Sequence, residues 1–222
     1  MTLTATVLFL LMGPSWLQET ETPKPVEVAR VSRYCEGPVF DHDGNLYVSH
    51  GRFITRITPQ GETAIWAEAA GTNGHKVLGD GTHLVCDRIQ HAVLRLAADG
   101  QLLGEAVTDC GARAVEEPND LTLDQSGGFY FTDPGPYPEA TKQPIGRVCY
   151  VDAAGETHLV ADELHFPNGI ALRAGGRTLL VAEDTRNRIL EYPVSLTGPA
   201  RPCESFPRSS HPRRSGSGRF GP

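Results

Sequence analysis

The sequence predicts an all-β protein built as a β-propeller, with about four repeated four-stranded blades after a lead-in strand near Pro25 to Arg33. Three observations carry that prediction. A Gly-containing turn entering a short apolar run recurs four times, a strand–turn–strand follows each copy, and amphipathic helical periodicity of useful length is absent.

The first signature reads Asp43-Gly44-Asn45-Leu46-Tyr47-Val48-Ser49-His50, then Asp80-Gly81-Thr82-His83-Leu84-Val85-Cys86-Asp87. It returns as Ser126-Gly127-Gly128-Phe129-Tyr130-Phe131-Thr132-Asp133 and as Gly175-Gly176-Arg177-Thr178-Leu179-Leu180-Val181-Ala182. The second signature is centred on Pro59-Gln60-Gly61, Ala98-Asp99-Gly100 and Ala153-Ala154-Gly155, with an incomplete copy at Arg188 to Ser195. The unit recurs at intervals of roughly 40 to 50 residues, the size of one propeller blade. Hairpins of this kind cannot bury both faces alone, and radial stacking around a channel solves that while shielding most strand edges.

Composition agrees. The chain has 222 residues, with 39% hydrophobic and 21% charged, which describes a globular chain rather than a disordered or membrane-spanning one. Gly 24 and Pro 17 together point to many tight turns. A formal net charge of -7 gives no support to a nucleic-acid partner. Cys35, Cys86, Cys110, Cys149 and Cys203 form no CxxC pair, so a zinc site is not expected and the cysteines read as small buried hydrophobes.

The ends read differently from the middle. Residues 1–22 are expected to be a signal peptide or a disordered N-terminus: Thr4 to Met12 has the length of a signal h-region and is too short to span a bilayer. No Lys or Arg precedes Lys24 and no clear small-residue cleavage site follows, so a misassigned start or a simple N-terminal strand is the alternative. Export to the periplasm or outside the cell is the expected location, with the cytoplasm as alternative. Residues 25–197 read as the propeller, and 198–222 as an irregular tail rich in Pro, Arg, Ser and Gly. The tail is either a disordered basic segment or the product of a frame lost near Thr197, where the strand pattern breaks off in mid-blade.

Three oxygen-bearing side chains sit at similar places in their blades, each beside Gly or Pro on the approach to a strand. They are Glu36 in Cys-Glu-Gly-Pro-Val-Phe, Asn119 in Glu-Pro-Asn-Asp-Leu and Asn168 in Phe-Pro-Asn-Gly-Ile-Ala-Leu. Equivalent positions on successive blades converge on the propeller axis. One Glu and two Asn oxygens there would form a hard-oxygen site, suited to Ca²⁺ or Mg²⁺ rather than zinc. Each motif alone is an ordinary turn sequence; all three in order and in phase with the repeat are not.

Those motifs, with Phe-Thr-Asp-Pro at 131–134, resemble the gluconolactonase/senescence-marker-protein (regucalcin)/LRE-like lactonase family over about Val31 to Ser195. The same pattern extends to the drug-responsive lactonase and diisopropyl-fluorophosphatase groups. The resemblance implies a six-bladed propeller, of which roughly a third is not represented here by the blade size above. It further implies a central divalent cation, usually calcium, and hydrolysis of sugar lactones or other cyclic esters, with Glu36, Asn119 and Asn168 as metal ligands. The family's fourth ligand and presumed general base is an Asp in a Pro-Asp-Gly motif. It is expected near Ser215 to Phe220, where this sequence has Ser-Gly-Ser-Gly-Arg-Phe and no carboxylate.

Secondary candidates surround that set. Asn73-Gly74-His75 precedes the second blade where the family lines its cleft, so Asn73 and His75 are substrate-binding candidates, with His75 on a surface turn as the alternative. Asp133 joins them as a substrate-binding candidate that could also support the metal region, with a turn cap before Pro134 as the alternative, and Arg88 reads as a solvated loop residue. No Gly-x-Ser-x-Gly elbow supports a serine-hydrolase triad. Two functional readings follow: a calcium-dependent lactonase acting on a small-molecule lactone or cyclic ester, with no stable membrane anchor, or an inactive propeller fragment or non-enzymatic binding module. An open propeller would expose the faces of its first and last blades and is expected to be poorly soluble.

Overall fold

A computed structural model describes residues 24–194 of the chain. The segments expected to be a signal peptide (1–22) and an irregular tail (198–222) lie outside the described residues. The chain divides between Arg30 and Val31. In the first unit the described residues carry no strand, and Arg30 pairs with Glu27 at 2.6 Å. The lead-in strand expected near Pro25 to Arg33 is therefore not formed, and the first strand among the described residues begins at Glu36.

The second unit is all-β. Blade 1 comprises β1 (Glu36–Phe40), β2 (Leu46–His50), β3 (Phe53–Ile57) and β4 (Thr63–Glu68). Blade 2 comprises β5 (Thr72–Val77), β6 (His83–Asp87), β7 (Ala92–Leu96) and β8 (Leu102–Val107). A two-stranded hairpin, β9 (Asp109–Cys110) and β10 (Arg113–Ala114), leads to blade 3. That blade comprises β11 (Leu121–Leu123), β12 (Phe129–Asp133), β13 (Gly146–Val151) and β14 (Thr157–Leu164). Blade 4 has three described strands, β15 (Pro167–Leu172), β16 (Thr178–Glu183) and β17 (Arg188–Pro193). Every sheet is an antiparallel meander in sequence order, so this is a β-propeller arrangement of four blades, the last represented by three strands among the described residues. Among the described residues helix is confined to one turn at Glu139–Lys142 and a 3-10 turn at Asp184–Arg186.

The repeat is legible in its turns. The Asp41 carboxylate accepts N–H bonds from Asp43 (3.0 Å) and Asn45 (2.8 Å) and the Tyr47 hydroxyl at 3.0 Å. Asp124 does the same for Ser126 (2.8 Å), Gly128 (2.7 Å) and Tyr150 (2.7 Å). The intervening glycines, Gly44 at φ 81° and Gly127 at φ 91°, take the left-handed conformation these turns require. Burial, followed by the hydrogen bond to Asp41, pushes the Tyr47 phenol up to about 12.

Strand alternation then feeds the interfaces between blades. Tyr47 and Ile54 of blade 1 pack with Val85, Ala92 and Leu94 of blade 2. The opposite face of blade 2, with Leu84, Cys86 and Val93, packs against Phe129, Phe131 and Val151 of blade 3. Tyr130 and Val148 of blade 3 face Ile170, Leu179 and Val181 of blade 4. Central strands β6 and β12 are thus buried on both faces, and each fully buried Leu, Val or Phe contributes about 1.5–3 kcal/mol. Phe40 and Ile65 on blade 1 and Ile189 on blade 4 are exposed.

The cysteines depart from the expectation of small buried hydrophobes. Cys86 is buried and free, but Cys110 and Cys149 form a disulfide that ties the β9–β10 hairpin to β13, and Cys35 is exposed. Adjacency of the hairpin and blade 3 brings the pair together across 39 positions, a tertiary fact that spacing does not encode. Cys203 lies outside the described residues.

Candidate metal and substrate site

The site is built on the loops that enter the first strand of each blade, and a buried carboxylate at the end of the second strand holds those loops. Asp87 accepts N–H bonds from Ala70 (2.8 Å) and Gly71 (2.9 Å), just ahead of β5. Asp133 accepts them from Glu116 (3.0 Å) and Glu117 (2.8 Å), just ahead of Asn119. Glu183 accepts one from His165 at 2.7 Å, just ahead of β15. All three carboxylates are at most 1% exposed. In blade 1 the position is His50, whose ring bonds the Thr55 hydroxyl at 2.7 Å instead.

Pinned this way, the first strands approach one another closely. A Cβ at Gly37 would lie 2.5 Å from the carbonyl oxygen of Asn73, and one at Gly74 would lie 2.6 Å from that of Asn119. Gly74 N–H donates to the Asn119 carbonyl at 2.8 Å. The Thr132 hydroxyl donates to the Asn168 carbonyl at 2.7 Å, and Ile170 N–H donates to the Asp120 carboxylate at 3.3 Å. Four blades are stitched together in sequence by these contacts.

Glu36, Asn119 and Asn168, the three expected ligands, consequently line one cavity of about 420 Å³ together with Asn73. Lys76 and Asp120 also border it and form an ion pair at 3.7 Å. A second cavity of about 680 Å³ shares Tyr34, Glu36, Asn73 and Asn119. Its further wall includes Tyr137 and Phe166, whose rings meet edge-on at 6.3 Å, and Arg88, paired with Glu117 at 3.7 Å. The Glu36 carboxylate beside Tyr34 raises that phenol's pKa, by hydrogen bonding first and by charge second.

Two sequence candidates stand elsewhere. His75 is fully buried on β5, not on a surface turn, and its ring packs among Tyr47, Trp66 and His83 in the interface of blades 1 and 2. Its Nε2 shares a 2.8 Å hydrogen bond with His83 Nδ1, and burial holds its pKa well below the ordinary value. It borders neither cavity. Regular alternation would put Asn73 and His75 on one face, but the register irregularity between Thr72 and His75 breaks it, and the His75 side chain enters the blade core. Asp133 borders neither cavity. It anchors the loop of Asn119 and pairs with the Arg147 guanidinium at 2.8 and 2.9 Å.

Several residues escaped the sequence reading. Asp87 and Glu183 repeat the position of Asp133, a signal present in the aligned blades as an acidic residue closing the second strand. Arg88 borders the larger cavity rather than a solvated loop alone. Ser49 sits opposite Glu36 in the β1–β2 register, with a buried hydroxyl that has no hydrogen-bond partner. The Asn73 side-chain oxygen is likewise buried and without a partner.

Chemically, the cavity offers oxygen donors: two carboxylates, Glu36 and the Lys76-paired Asp120, and three amides. Among the described residues no group of three or more His, Cys, Asp or Glu side chains is placed to hold a metal ion, so any cation here depends on the asparagines. The position expected for the Pro-Asp-Gly aspartate lies outside the described residues.

Fold and site together define a β-propeller with an oxygen-lined axial cavity. The chain belongs to the SMP-30/Gluconolactonase/LRE-like family, which matches residues 34–210. It is 28% identical over 182 residues to the lactonase drp35 of Staphylococcus epidermidis, covering 77% of this chain and 54% of that protein. It is 26% identical over 187 residues to the gluconolactonase of Zymomonas mobilis, covering 73% of this chain and 52% of that one. The chain thus spans about half the length of these curated relatives. A gluconolactonase structure from Xanthomonas campestris shares the fold at a TM-score of 0.69 and 24% identity, over 79% of this chain and 63% of that one. The calcium-binding protein regucalcin from Agrobacterium tumefaciens follows at 0.57 and 19% identity, over 75% and 58%.

Proposed function

We propose that this chain carries the metal-binding half of a lactone hydrolase, in which Glu36, Asn119 and Asn168 hold a divalent cation, Ca²⁺ by preference. The observation that carries this reading is the convergence of those three side chains from blades 1, 3 and 4 on one cavity. The donor set fits such an ion: all are oxygens, and Asn73, whose side-chain oxygen is buried without a partner, borders the same cavity. When bound, the cation supplies Lewis-acid polarisation of a substrate carbonyl.

The chain's own residues do the rest. Glu36 is the only carboxylate among the three ligands, and Asp120 beside them is paired with Lys76, so neutral Asn119 and Asn168 would leave a bound divalent ion with net positive charge. Neither amide is a base near neutral pH, so both position and neither moves a proton. Tyr137 and Phe166 offer an apolar wall for a lactone ring on the adjoining cavity. The location we propose is the periplasm or cell exterior, and the Cys110–Cys149 disulfide supports an oxidising compartment.

The test is calorimetric titration of Ca²⁺ into the purified full chain, followed by an assay of D-gluconolactone with and without chelator. The reading expects Ca²⁺ binding that is lost in Glu36→Gln, and any lactone turnover to disappear with chelator and return with Ca²⁺. No Ca²⁺ binding, or turnover that ignores chelator, contradicts it for this chain.

A further inference from the structure

We propose that Asn73 is a further ligand of the cation, so that blade 2 contributes an oxygen as blades 1, 3 and 4 do. The inference rests on the metal reading above and moves Asn73 from substrate to metal.

Position is the first ground. Asn73 opens the first strand of blade 2, directly after Thr72, which pairs with the strand-closing Asp87. Glu36 and Asn168 open the first strands of their blades in the same way, followed by glycine as Asn73 is. Asn119 stands just ahead of β11, and its N–H donates to the carbonyl of Thr132 at 2.9 Å. Asn73 borders both cavities, and Glu36 and Asn119 are its neighbours in each.

The second ground is an unmet bond. Asn73 is 8% exposed, and its side-chain oxygen is buried with no hydrogen-bond partner. An unsatisfied buried acceptor is costly, and native proteins seldom keep one without a use for it. Its backbone is fixed from both sides, by Gly37 packed onto its carbonyl and by the Gly74 N–H bond to Asn119. Asn73 shares its cavity with a carboxylate and two other amides, and a carbonyl-type oxygen in that company is a Ca²⁺ donor; a hydroxylated substrate would be met through hydrogen bonds instead.

Calorimetric titration of Ca²⁺ into chelator-stripped full chain, with no substrate present, separates these roles. Asn73→Ala is expected to weaken Ca²⁺ binding by about tenfold or more. Asn73→Asp, nearly the same shape with an added charge, is expected to bind more tightly than wild type. The melting temperature in chelator serves as the folding control. If Asn73→Ala binds within about twofold of wild type while Glu36→Gln has lost binding, Asn73 is not a ligand and the metal site stands without it. Failure of Asn73→Asp to tighten binding also overturns the assignment, even where the alanine variant does not fold. If Glu36→Gln binds as wild type does, the site itself is misplaced and this inference falls with it.

Discussion

Gly74 and Asn119 meet through a backbone hydrogen bond of 2.8 Å, and this bond joins the first strands of blades 2 and 3 beside the candidate metal cavity. Contact this close leaves no room for a side chain. A Cβ at residue 74 would sit 2.6 Å from both the Asn119 oxygen and the Asp120 Cα, which are backbone atoms that cannot swing aside.

Gly74→Ala is therefore expected to cost about 1–3 kcal/mol and to weaken Ca²⁺ binding by displacing Asn119. Gly79→Ala, with nothing within 4 Å of the new methyl, is the matched control and should stay within about 0.5 kcal/mol of wild type. Urea denaturation and Ca²⁺ titration of both variants check the pair.

Asp133 and Arg147 form an ion pair at 2.8 Å with side chains 0% and 4% exposed. Asp133→Asn leaves the buried guanidinium with only the half-exposed Glu116 carboxylate at 3.8 Å, and a loss of about 3 kcal/mol is expected. Because Asp133 also holds the N–H groups of Glu116 and Glu117, Ca²⁺ affinity should fall in the same variant. Equilibrium unfolding together with Ca²⁺ titration measures both effects.

His83 carries a pH dependence. Burial lowers its pKa to about 4, beneath the ordinary value of about 6.5 that the unfolded chain would show. As pH falls the unfolded state takes up the proton first, so this contribution to stability is complete above about 6.5 and is lost towards 4. Carboxylates held low by hydrogen bonds, such as Asp41 and Asp124, act in the same direction, but at lower pH because their unfolded values are near 4. A His83→Gln variant should show a flatter stability profile across the histidine window, measured by urea unfolding at a series of pH values.

How far the sequence anticipated these features depended on how local their causes are. The blades were readable because each turn and strand is set by neighbouring residues: Asp41 with Gly44, Asp124 with Gly127. Glu36, Asn119 and Asn168 were readable because their motifs keep phase with that repeat. His75 was not, since its burial depends on Tyr47 and Trp66 from the adjoining blade. The partnership of Cys110 with Cys149 depends on the hairpin folding back against β13, again a matter of tertiary contact. Asp87 and Glu183 were present in the repeat all along, and comparison of the strand ends with Asp133 would have found them.

Reduction of the Cys110–Cys149 disulfide should destabilise the fold. In the chain-entropy view, a loop of 39 residues corresponds to about 4 kcal/mol. A melting curve with and without reductant measures this, and a double Cys→Ala variant should match the reduced protein. Mass mapping after alkylation of the native chain should find exposed Cys35 modified and buried Cys86 protected, because burial also pushes the Cys86 thiol pKa upward.

The central claim is that oxygen-bearing side chains from successive blades gather around one cation. Anomalous diffraction from crystals of the full chain grown in saturating Ca²⁺ or Mn²⁺ tests it most directly. The account predicts a single strong peak in the cavity, bound by oxygens of Glu36, Asn119 and Asn168, with Ca²⁺–oxygen distances of about 2.3–2.6 Å. A cavity without a peak under those conditions, or a peak held by other side chains, would contradict it.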